Sequence, residues 1–369
     1  MHTIAIVVGV LLVVSVLADL VNTLVATQTN RRRFWLTMQL YMRSWRVVRA
    51  IAGRISTDRR REQFLGVFAP VSVLMLLTVW VVQQVVGFAL IWWGLGGISG
   101  AENLADSIYY SGVVYFTLGF GEVVPTDEIP RFGALVEAFS GVLTTALVIG
   151  YLPALYAAYS ERERKLMTLD DGNEDRITPQ SLIIARSPDA DVAALRAYFE
   201  DWEDWIAGVI ETHTAFPMLM LFRSKHAGQN WVTALGLISD AALLCQMIEG
   251  ADDREPYWCL RRSVRLFEEL TEGQDLTGYD DALVRTEVDE LALDPEQDQF
   301  FADLHRDLTA HGFTLLPLAD ARRRTASLRN LYAPRMEYLI DELAAPRGFW
   351  GHVVGHRRET DAVPRAASA

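Results

Sequence analysis

The sequence predicts an all-α membrane protein with three transmembrane helices, a short re-entrant helix with a glycine-rich loop, and an all-α cytosolic domain. The main observation is that apolar runs cover residues 3–26, 67–93 and 131–158, and each is long enough to cross a bilayer. The second is that the rest of the chain has the charge density of an ordinary globular protein, although hydrophobic residues make up 51% of the whole. The apolar excess therefore belongs to the first 158 residues.

The first apolar run, residues 3–26, predicts a transmembrane helix with its N-terminus outside the cell. Its start, Met-His-Thr, carries no Lys or Arg, unlike a secretory signal, and the basic residues follow the run. Asp19 near its inner end has two interpretations. It makes a polar contact with another helix or with a gate, or, more plainly, it reaches the inner interface or pairs with a nearby arginine.

A basic segment completes an N-terminal region, residues 1–66, and holds ten arginines between Arg31 and Arg61. Short loops rich in arginine stay in the cytoplasm, so this segment sets the orientation. We interpret it as an amphipathic helix on the inner membrane surface that contacts anionic lipids. The alternative is a voltage sensor, because Arg43, Arg46 and Arg49 recur every three residues. The sequence has no further spanning helices with acidic partners to support that alternative.

The glycine-rich stretch Thr117–Glu122 lies between the second and third apolar runs. A short helix at residues 107–116 precedes it, with Asp106 as the predicted N-cap. A loop at membrane depth is tolerated only where it lines protein or a water-filled cavity. Glycine allows the positive φ angles that carbonyls pointing along one direction require. Such carbonyls can replace the hydration shell of a cation.

The stretch T-L-G-F-G-E resembles the signature T-[VIL]-G-[YF]-G-[DE] of the potassium channel family. The stretch Tyr109-Tyr110-Ser111 matches the family's aromatic-aromatic-Ser sequence, and Pro125 matches its D-x-x-P spacing. The resemblance covers residues 65–158 and implies a homotetramer that transports K⁺, without a further cofactor or bound metal. It implies a selectivity filter formed by Thr117, Leu118, Gly119, Phe120 and Gly121. It also implies an acidic residue at the outer mouth, Glu122.

The third apolar run is the predicted inner helix, and it begins after Pro130. Its candidate gating hinges are Gly141, Gly150 and Pro153, and the family spacing favours Gly141. Close helix packing is the alternative use of these glycines. Phe116 departs from the family pattern, which usually has a threonine or a smaller residue there. This departure keeps open a non-selective cation channel on the same fold.

The remaining boundaries place the ion-channel pore domain at residues 67–165, a linker at 166–190, a helical cytosolic domain at 191–350 and a disordered tail at 351–369. We expect the cytosolic domain to serve gating or assembly. Its run Trp231–Ile248 is interpreted as a buried helix rather than a fourth span, because Asp240 lies near its centre. The other expected cytosolic helices lie near residues 217–224, 256–271, 297–311 and 322–344.

Several function classes are disfavoured. The net charge of −13 argues against a nucleic-acid partner. No motif supports an enzyme, and two cysteines in the cytosolic part are expected to be free thiols. The polar residues His213, Arg223, His226 and Asp240 either satisfy one another in a helical core or bind a metal or anionic regulator. The sequence thus predicts a multi-pass potassium channel of the inner membrane, with a membrane-anchored signalling protein carrying a vestigial pore as a further alternative.

Overall fold

The computed structural model describes residues 2–24, 36–169, 177–224, 230–251, 254–276 and 295–345. These residues are mostly helical, which confirms the predicted all-α class. In chain order the helices are α1 His2–Leu24, α2 Leu36–Ala52, α3 Asp58–Leu95, α4 Leu104–Tyr115, α5 Glu128–Leu166, α6 Pro179–Arg186, α7 Val192–Ala215, α8 Trp231–Cys245, α9 Glu255–Leu270, α10 Pro295–Ala310, α11 Leu318–Arg329 and α12 Ala333–Glu342. Short 3-10 helices cover Met167–Leu169 and Pro217–Leu221, and β1 Ile98–Ser99 pairs antiparallel with β2 Val124–Pro125.

The chain divides into two compact units. The membrane unit comprises Met1–Tyr159 and Thr214–Phe222, and the C-terminal unit comprises Ser160–His213 and Arg223–Ala369. Helix α5 runs from the first unit into the second without a break. Among the described residues, three helices are long and apolar enough to cross a membrane, within α1, α3 and α5. These helices correspond to the three predicted spans.

Helices α1 and α3 form the most extensive helix pair of the membrane unit. Their backbones approach closely, since a Cβ added to Gly9 would stand 2.5 Å from the carbonyl oxygen of Gly87. Small residues at a crossing let two membrane helices gain van der Waals contact. Near the other end of α1, the indole Nε1 of Trp80 donates to the Asp19 carboxylate at 2.9 Å. Asp19 is buried, and this hydrogen bond is the polar contact with another helix that was the first of its two interpretations.

Helix α2 packs against the first half of α3 through an aromatic side. The Ser72 hydroxyl donates to the Tyr41 oxygen at 2.6 Å, and the rings of Trp45 and Phe68 lie 5.3 Å apart. The opposite side of α2 is exposed and presents Val47 beside arginines. An aromatic side and a basic side on one helix fit the predicted amphipathic segment.

The boundary predicted between the N-terminal region and the pore domain, at residues 66 and 67, is wrong. Helix α3 begins at Asp58 and passes through this point without interruption. The charged residues 59–62 are good helix formers, so they extend the apolar helix by two turns rather than closing a separate segment. Arg31, Arg32 and Arg33 lie outside the described residues.

Helix α8 is the centre of the C-terminal unit and is buried along nearly its whole length. Helices α6, α9, α11 and α12 pack against it. Its Asp240 accepts a hydrogen bond of 2.5 Å from the Tyr332 hydroxyl, and the Tyr332 ring stacks on Phe267 at 5.9 Å. The prediction of a buried helix rather than a fourth span is confirmed, because α8 is too short for a bilayer and other helices cover it.

Two predicted boundaries in this unit need correction. The predicted linker at residues 166–190 contains helix α6, which a Thr178–Ser181 capping box begins and whose Leu182 and Ile183 are buried. The helix expected near 322–344 is two helices, α11 and α12, with the break before Pro334. Proline fits the first turn of a helix but removes a hydrogen bond from its interior. The predicted disordered tail, residues 351–369, lies outside the described residues.

Candidate ion pathway

The candidate pathway begins with α4, whose N-terminus is closed by a capping box. The Asn103 side chain accepts from the Asp106 backbone amide at 3.0 Å, and the Asp106 carboxylate accepts from the Asn103 amide at 3.2 Å. The predicted N-cap, Asp106, is therefore wrong by one turn. Asn103 is the N-cap, and Asp106 is the reciprocal partner at the third helical position. Both residue types bind free amides at a helix start, so the pattern alone left two candidates.

The C-terminus of α4 passes through a Schellman motif into residues Thr117–Gly121, which we name the filter stretch after the predicted selectivity filter. The Thr117 amide donates to the Val114 carbonyl at 3.0 Å, and the Leu118 amide donates to the Val113 carbonyl at 2.8 Å. This motif satisfies carbonyls at the helix end and requires one residue in the left-handed conformation. That residue is Thr117, with φ of 55°. A β-branched residue is rare and strained in this region.

The backbone beyond Thr117 alternates. Thr117, Gly119 and Gly121 have positive φ, of 64° at Gly119 and 84° at Gly121, whereas the intervening Leu118 and Phe120 do not. The prediction of positive φ at the two glycines is confirmed. A Cβ added at either glycine would have no atom within 4 Å, so conformation rather than space explains glycine at both positions.

The side chains of the filter stretch are largely uncovered in one chain. Phe116 is 57% exposed, Leu118 56% and Phe120 65%. At the far end, the Tyr109 hydroxyl of α4 donates to the Glu122 carboxylate, which ties this acid to the helix that precedes the stretch. The next residues are held by the β1–β2 pairing and by the Thr126 amide, which donates to the Gly97 carbonyl at 2.8 Å.

A buried carboxylate behind α4 joins three helices. Glu137 of α5 is fully buried, and it accepts a hydrogen bond of 2.7 Å from the indole of Trp92 on α3. The hydroxyl of Ser111 on α4 contacts its other oxygen. Glu137 is not among the site residues predicted from the sequence. The available signal was an acidic residue within the apolar run 131–158, where ionisable groups are costly and usually functional.

One turn further along α5, two backbones come close. A Cβ added to Gly141 would overlap the carbonyl oxygen of Tyr115, at the end of α4. Helix α5 also contacts Gln84 of α3. The Ser140 hydroxyl donates to Gln84 Oε1 at 3.3 Å, and Gln84 Nε2 donates to the Thr144 hydroxyl at 3.4 Å. Helix α5 therefore contacts the C-terminal part of α4 at Ser111 and Tyr115, and contacts α3 at Gln84.

Comparison with known proteins assigns this region. Residues 75–157, which include α4, the filter stretch and most of α5, match a family model described as ion channel. These residues are an ion-channel domain. The chain is also 23% identical over 224 residues to the uncharacterized membrane protein YdjJ of Bacillus subtilis (strain 168). That match covers 56% of this chain and spans 63% of the relative's length. No solved structure matches the chain significantly.

The three candidate hinges of the ion-channel domain have different surroundings. Gly141 is buried against α4, whereas a Cβ at Gly150 would meet no atom within 4 Å. Pro153 is exposed, and α5 is a continuous helix through all three positions. The packing use of Gly141 is thus present in the structure, and its use as a hinge stays a prediction. Phe116 is the C-cap of α4, and its ring lies edge-on to Tyr115 at 5.4 Å.

Residues Thr214–Phe222, which we name the strap, belong to the membrane unit although the chain on both sides belongs to the C-terminal unit. The Phe216 ring packs on Tyr151 of α5 at 5.3 Å, and the Phe222 ring packs on Tyr159 at 5.4 Å. The Tyr151 hydroxyl also reaches the Met218 sulfur at 3.4 Å. The sequence predicted an ordinary cytosolic helix near 217–224 and gave no sign of this placement.

The last residues of α5 are held inside the C-terminal unit. Arg162 is buried, its Nη1 lies 3.3 Å from His213 Nε2, and its guanidinium lies over the Trp231 ring. Since the Nδ1 of His213 lies 3.0 Å from the Val209 carbonyl, Nδ1 carries the proton and Nε2 accepts from Arg162. Burial, together with the Arg162 charge, lowers the pKa of His213. Lys165 pairs with Asp201.

The predicted polar cluster of the C-terminal unit has separate partners. His213 contacts Arg162, Asp240 binds Tyr332, and Arg223 donates to the Leu343 carbonyl at 2.5 Å. His226 lies outside the described residues. Among the described residues, no group of three His, Cys, Asp or Glu side chains could hold a metal ion. The partners of His213, Arg223 and Asp240 favour the interpretation of polar groups satisfied within a helical core.

Proposed function

We propose that the protein is a potassium-selective channel of the inner membrane, in which four copies conduct through Thr117–Gly121. The observation that carries the proposal is the alternating backbone of this stretch after a capped helix. Residues with alternating φ signs can direct successive carbonyls along one line, as a chain of cation sites requires. The strained Thr117 supports a functional reason for this conformation, and its hydroxyl adds a further oxygen ligand.

Electrostatics support a cation as the transported ion. The C-terminal end of α4 carries the partial negative charge of its helix dipole, directly before Thr117. Glu122 at the outer mouth is exposed and acidic, so it raises the local concentration of cations. The groups proposed to coordinate K⁺ are main-chain carbonyls, which suit a weakly hydrated cation that occupies several successive sites.

The tetramer rests on the incompleteness of one chain. Each chain has one filter stretch, and a ring of carbonyls around an ion needs several. The large exposed apolar side chains Phe116, Leu118 and Phe120 need cover, which neighbouring copies in a closed ring can supply. Exposed apolar residues on α5, such as Phe132 and Phe139, add surface for neighbouring helices or lipid.

The orientation follows the positive-inside rule. The arginines of α2 and of the start of α3 are proposed to lie in the cytoplasm, with the N-terminus of α1 and the filter mouth outside. Arg43 and Arg46 are exposed beside the apolar Val47 and Ile51 on α2. A helix with this composition suits a membrane surface that carries anionic lipids.

Gating is proposed to act through α5. The end of α5 is held in the C-terminal unit by Arg162 and Lys165, and the strap packs on Tyr151 and Tyr159 of the same helix. A change of conformation in the C-terminal unit would therefore act on α5 at two places along its length. This supports gating, rather than assembly alone, as the role of the C-terminal unit.

The test is ion flux through purified protein in liposomes, with K⁺ and Na⁺ exchanged. We expect strong preference for K⁺ in the wild type and its loss in Gly119→Ala, because alanine resists the positive φ of Gly119. The matched control is Gly112→Ala in α4, where an added Cβ meets no atom within 4 Å. Equal flux of both ions would favour the non-selective channel that Phe116 suggested. No flux from a folded oligomer would favour the vestigial pore.

A further inference from the structure

The hydrogen bonds around Glu137 need one more proton than an ionised Glu137 carboxylate and its neighbours can supply. The Ser111 oxygen lies 2.8 Å from the Val85 carbonyl oxygen and within hydrogen-bonding distance of the Glu137 Oε1 atom. A serine hydroxyl has one proton, whereas a carbonyl and an ionised carboxylate can only accept. With Glu137 ionised, one of these two oxygen pairs would have no proton between its atoms.

A neutral Glu137 removes this conflict. A proton on Oε1 is donated to the Ser111 oxygen, and the Ser111 proton is then free for the Val85 carbonyl. The remaining oxygen, Oε2, accepts from the Trp92 indole at 2.7 Å. Each contact in the chain Trp92–Glu137–Ser111–Val85 then holds one proton, and no buried acceptor faces another acceptor.

The surroundings of Glu137 agree with a neutral side chain. Within the described part of the chain, its side chain bonds to two uncharged groups and to no Lys or Arg. The neighbouring titratable groups are the phenols of Tyr110 and Tyr115 on α4. Helix α3 contributes the uncharged indole of Trp92. A carboxylate buried among such groups has no charge to offset its desolvation.

We propose that Glu137 is a positioning residue that stays protonated and donates to Ser111, so that α3, α4 and α5 are locked together behind the filter. The lock has a regular geometry. Glu137 faces Ser111, and Gly141 faces Tyr115 one turn later on both helices. Two successive turns of α5 thus contact the C-terminal part of α4, directly before the filter stretch. The effect on conduction rests on the proposed channel function, whereas the protonation state does not.

The test compares Glu137→Gln with Glu137→Leu and Ser111→Ala. A carboxamide reproduces a neutral carboxylic acid, since its NH₂ donates to Ser111 and its oxygen accepts from Trp92. We expect Glu137→Gln to keep K⁺ flux and selectivity within about twofold, and the other two variants to lose about tenfold in flux. The opposite result, with Glu137→Gln as impaired as Glu137→Leu or unable to fold, would show that the charge is needed and overturn the proposal.

Infrared spectroscopy of the folded oligomer reads the proton directly. The carbonyl stretch of a protonated carboxyl group should be present in the wild type at neutral pH and absent from Glu137→Gln. A wild-type spectrum without the band that this substitution removes would overturn the proposal, whatever the flux. If the wild type does not conduct, the proposed function fails, and the infrared band still decides the protonation of Glu137.

Discussion

Gly141 of α5 lies so close to Tyr115 of α4 that a Cβ atom would overlap the Tyr115 carbonyl oxygen. The neighbour is rigid backbone at the point where α4 ends and the filter stretch begins. We expect Gly141→Ala to destabilise the folded oligomer by about 1–3 kcal/mol, as overpacked sites do. Thermal unfolding and K⁺ flux would both be measured.

The matched control is Gly150→Ala on the same helix, where the added Cβ meets no atom within 4 Å. It should retain the stability of the wild type or exceed it slightly, because alanine favours a helix. If Gly150→Ala alters open probability and Gly141→Ala does not, the hinge lies at Gly150 and the close contact at Gly141 is not limiting.

Thr117 is expected to lower the stability of the fold and to raise K⁺ selectivity. Thr117→Gly removes the cost of a left-handed β-branched residue and is expected to stabilise the fold by about 0.5–1 kcal/mol, after the higher chain entropy of glycine is subtracted. It also removes the hydroxyl, so K⁺ selectivity should fall. Thr117→Ser keeps the hydroxyl and should conduct selectively.

The control for this strain is Ala190, which has φ of 54° in the C-terminal unit. Ala190→Gly should stabilise without a change in selectivity. Unaltered selectivity in Thr117→Gly would remove the Thr117 hydroxyl from the proposed set of ligands. Reversal potentials in mixed K⁺ and Na⁺ are the measurement.

The C-terminal unit should lose stability at acid pH through His213. Its pKa is lowered by burial and by Arg162, whereas the unfolded value is about 6.5. As the pH falls below about 6.5, His213 binds a proton in the unfolded chain but stays neutral in the folded chain. The free energy of unfolding therefore drops by up to about 1.4 kcal/mol per pH unit.

This loss ends once the pH falls below the lowered folded pKa. His213→Gln should remove that part of the pH dependence, and His311→Gln, at an exposed position, should not. Urea unfolding followed by tryptophan fluorescence, repeated from about pH 5 to about pH 8, isolates the difference. Equal slopes in the wild type and His213→Gln would contradict the assignment.

The two cysteines should resist alkylation in the folded protein. Cys245 and Cys259 are free and buried, which confirms the prediction of free thiols, and burial raises the pKa of both. Iodoacetamide, which reacts with thiolates, should label neither until urea is added. A Ser160→Cys variant offers an exposed control that should react at once. Rapid labelling of native wild-type protein would show that the unit opens.

The strap should be coupled to α5 in energy as well as in space. Aromatic pairs contribute about 0.5–1.5 kcal/mol beyond their buried area, so Tyr151→Ala and Phe216→Ala should show a coupling of about 1 kcal/mol in a double-mutant cycle. We also expect either change to shift open probability. Trp258→Ala removes an exposed aromatic from the C-terminal unit and serves as control. Additive effects of the two substitutions would exclude a direct coupling.

Local patterns explain what could be predicted from the sequence. The spanning helices have long apolar runs, and the positive φ of Gly119 and Gly121 follows from their residue type within the filter signature. The N-cap was missed because Asn103 and Asp106 are equally good candidates three residues apart. The break before Pro334 was missed although proline marks a helix start as well as a helix end.

Other features depend on contacts that distance along the chain hides. Glu137 has meaning only once Trp92 and Ser111 stand beside it, and these residues come from three different helices. Gly141 was identified by its spacing, yet the reason for a glycine there lies in the backbone of α4. The strap carries no distinctive composition, since aromatic and aliphatic residues suit a cytosolic core equally well.

The strap also limits how this protein can be taken apart. The nine residues Thr214–Phe222 fill a place beside α5, yet they are encoded after α7. A chimera that joins a foreign regulatory domain after α5 would remove the Phe216 and Phe222 rings that pack on Tyr151 and Tyr159. The membrane unit and the C-terminal unit therefore cannot be exchanged separately between proteins. A truncation after α5, meant to isolate the channel, would remove the strap, which is part of the membrane unit.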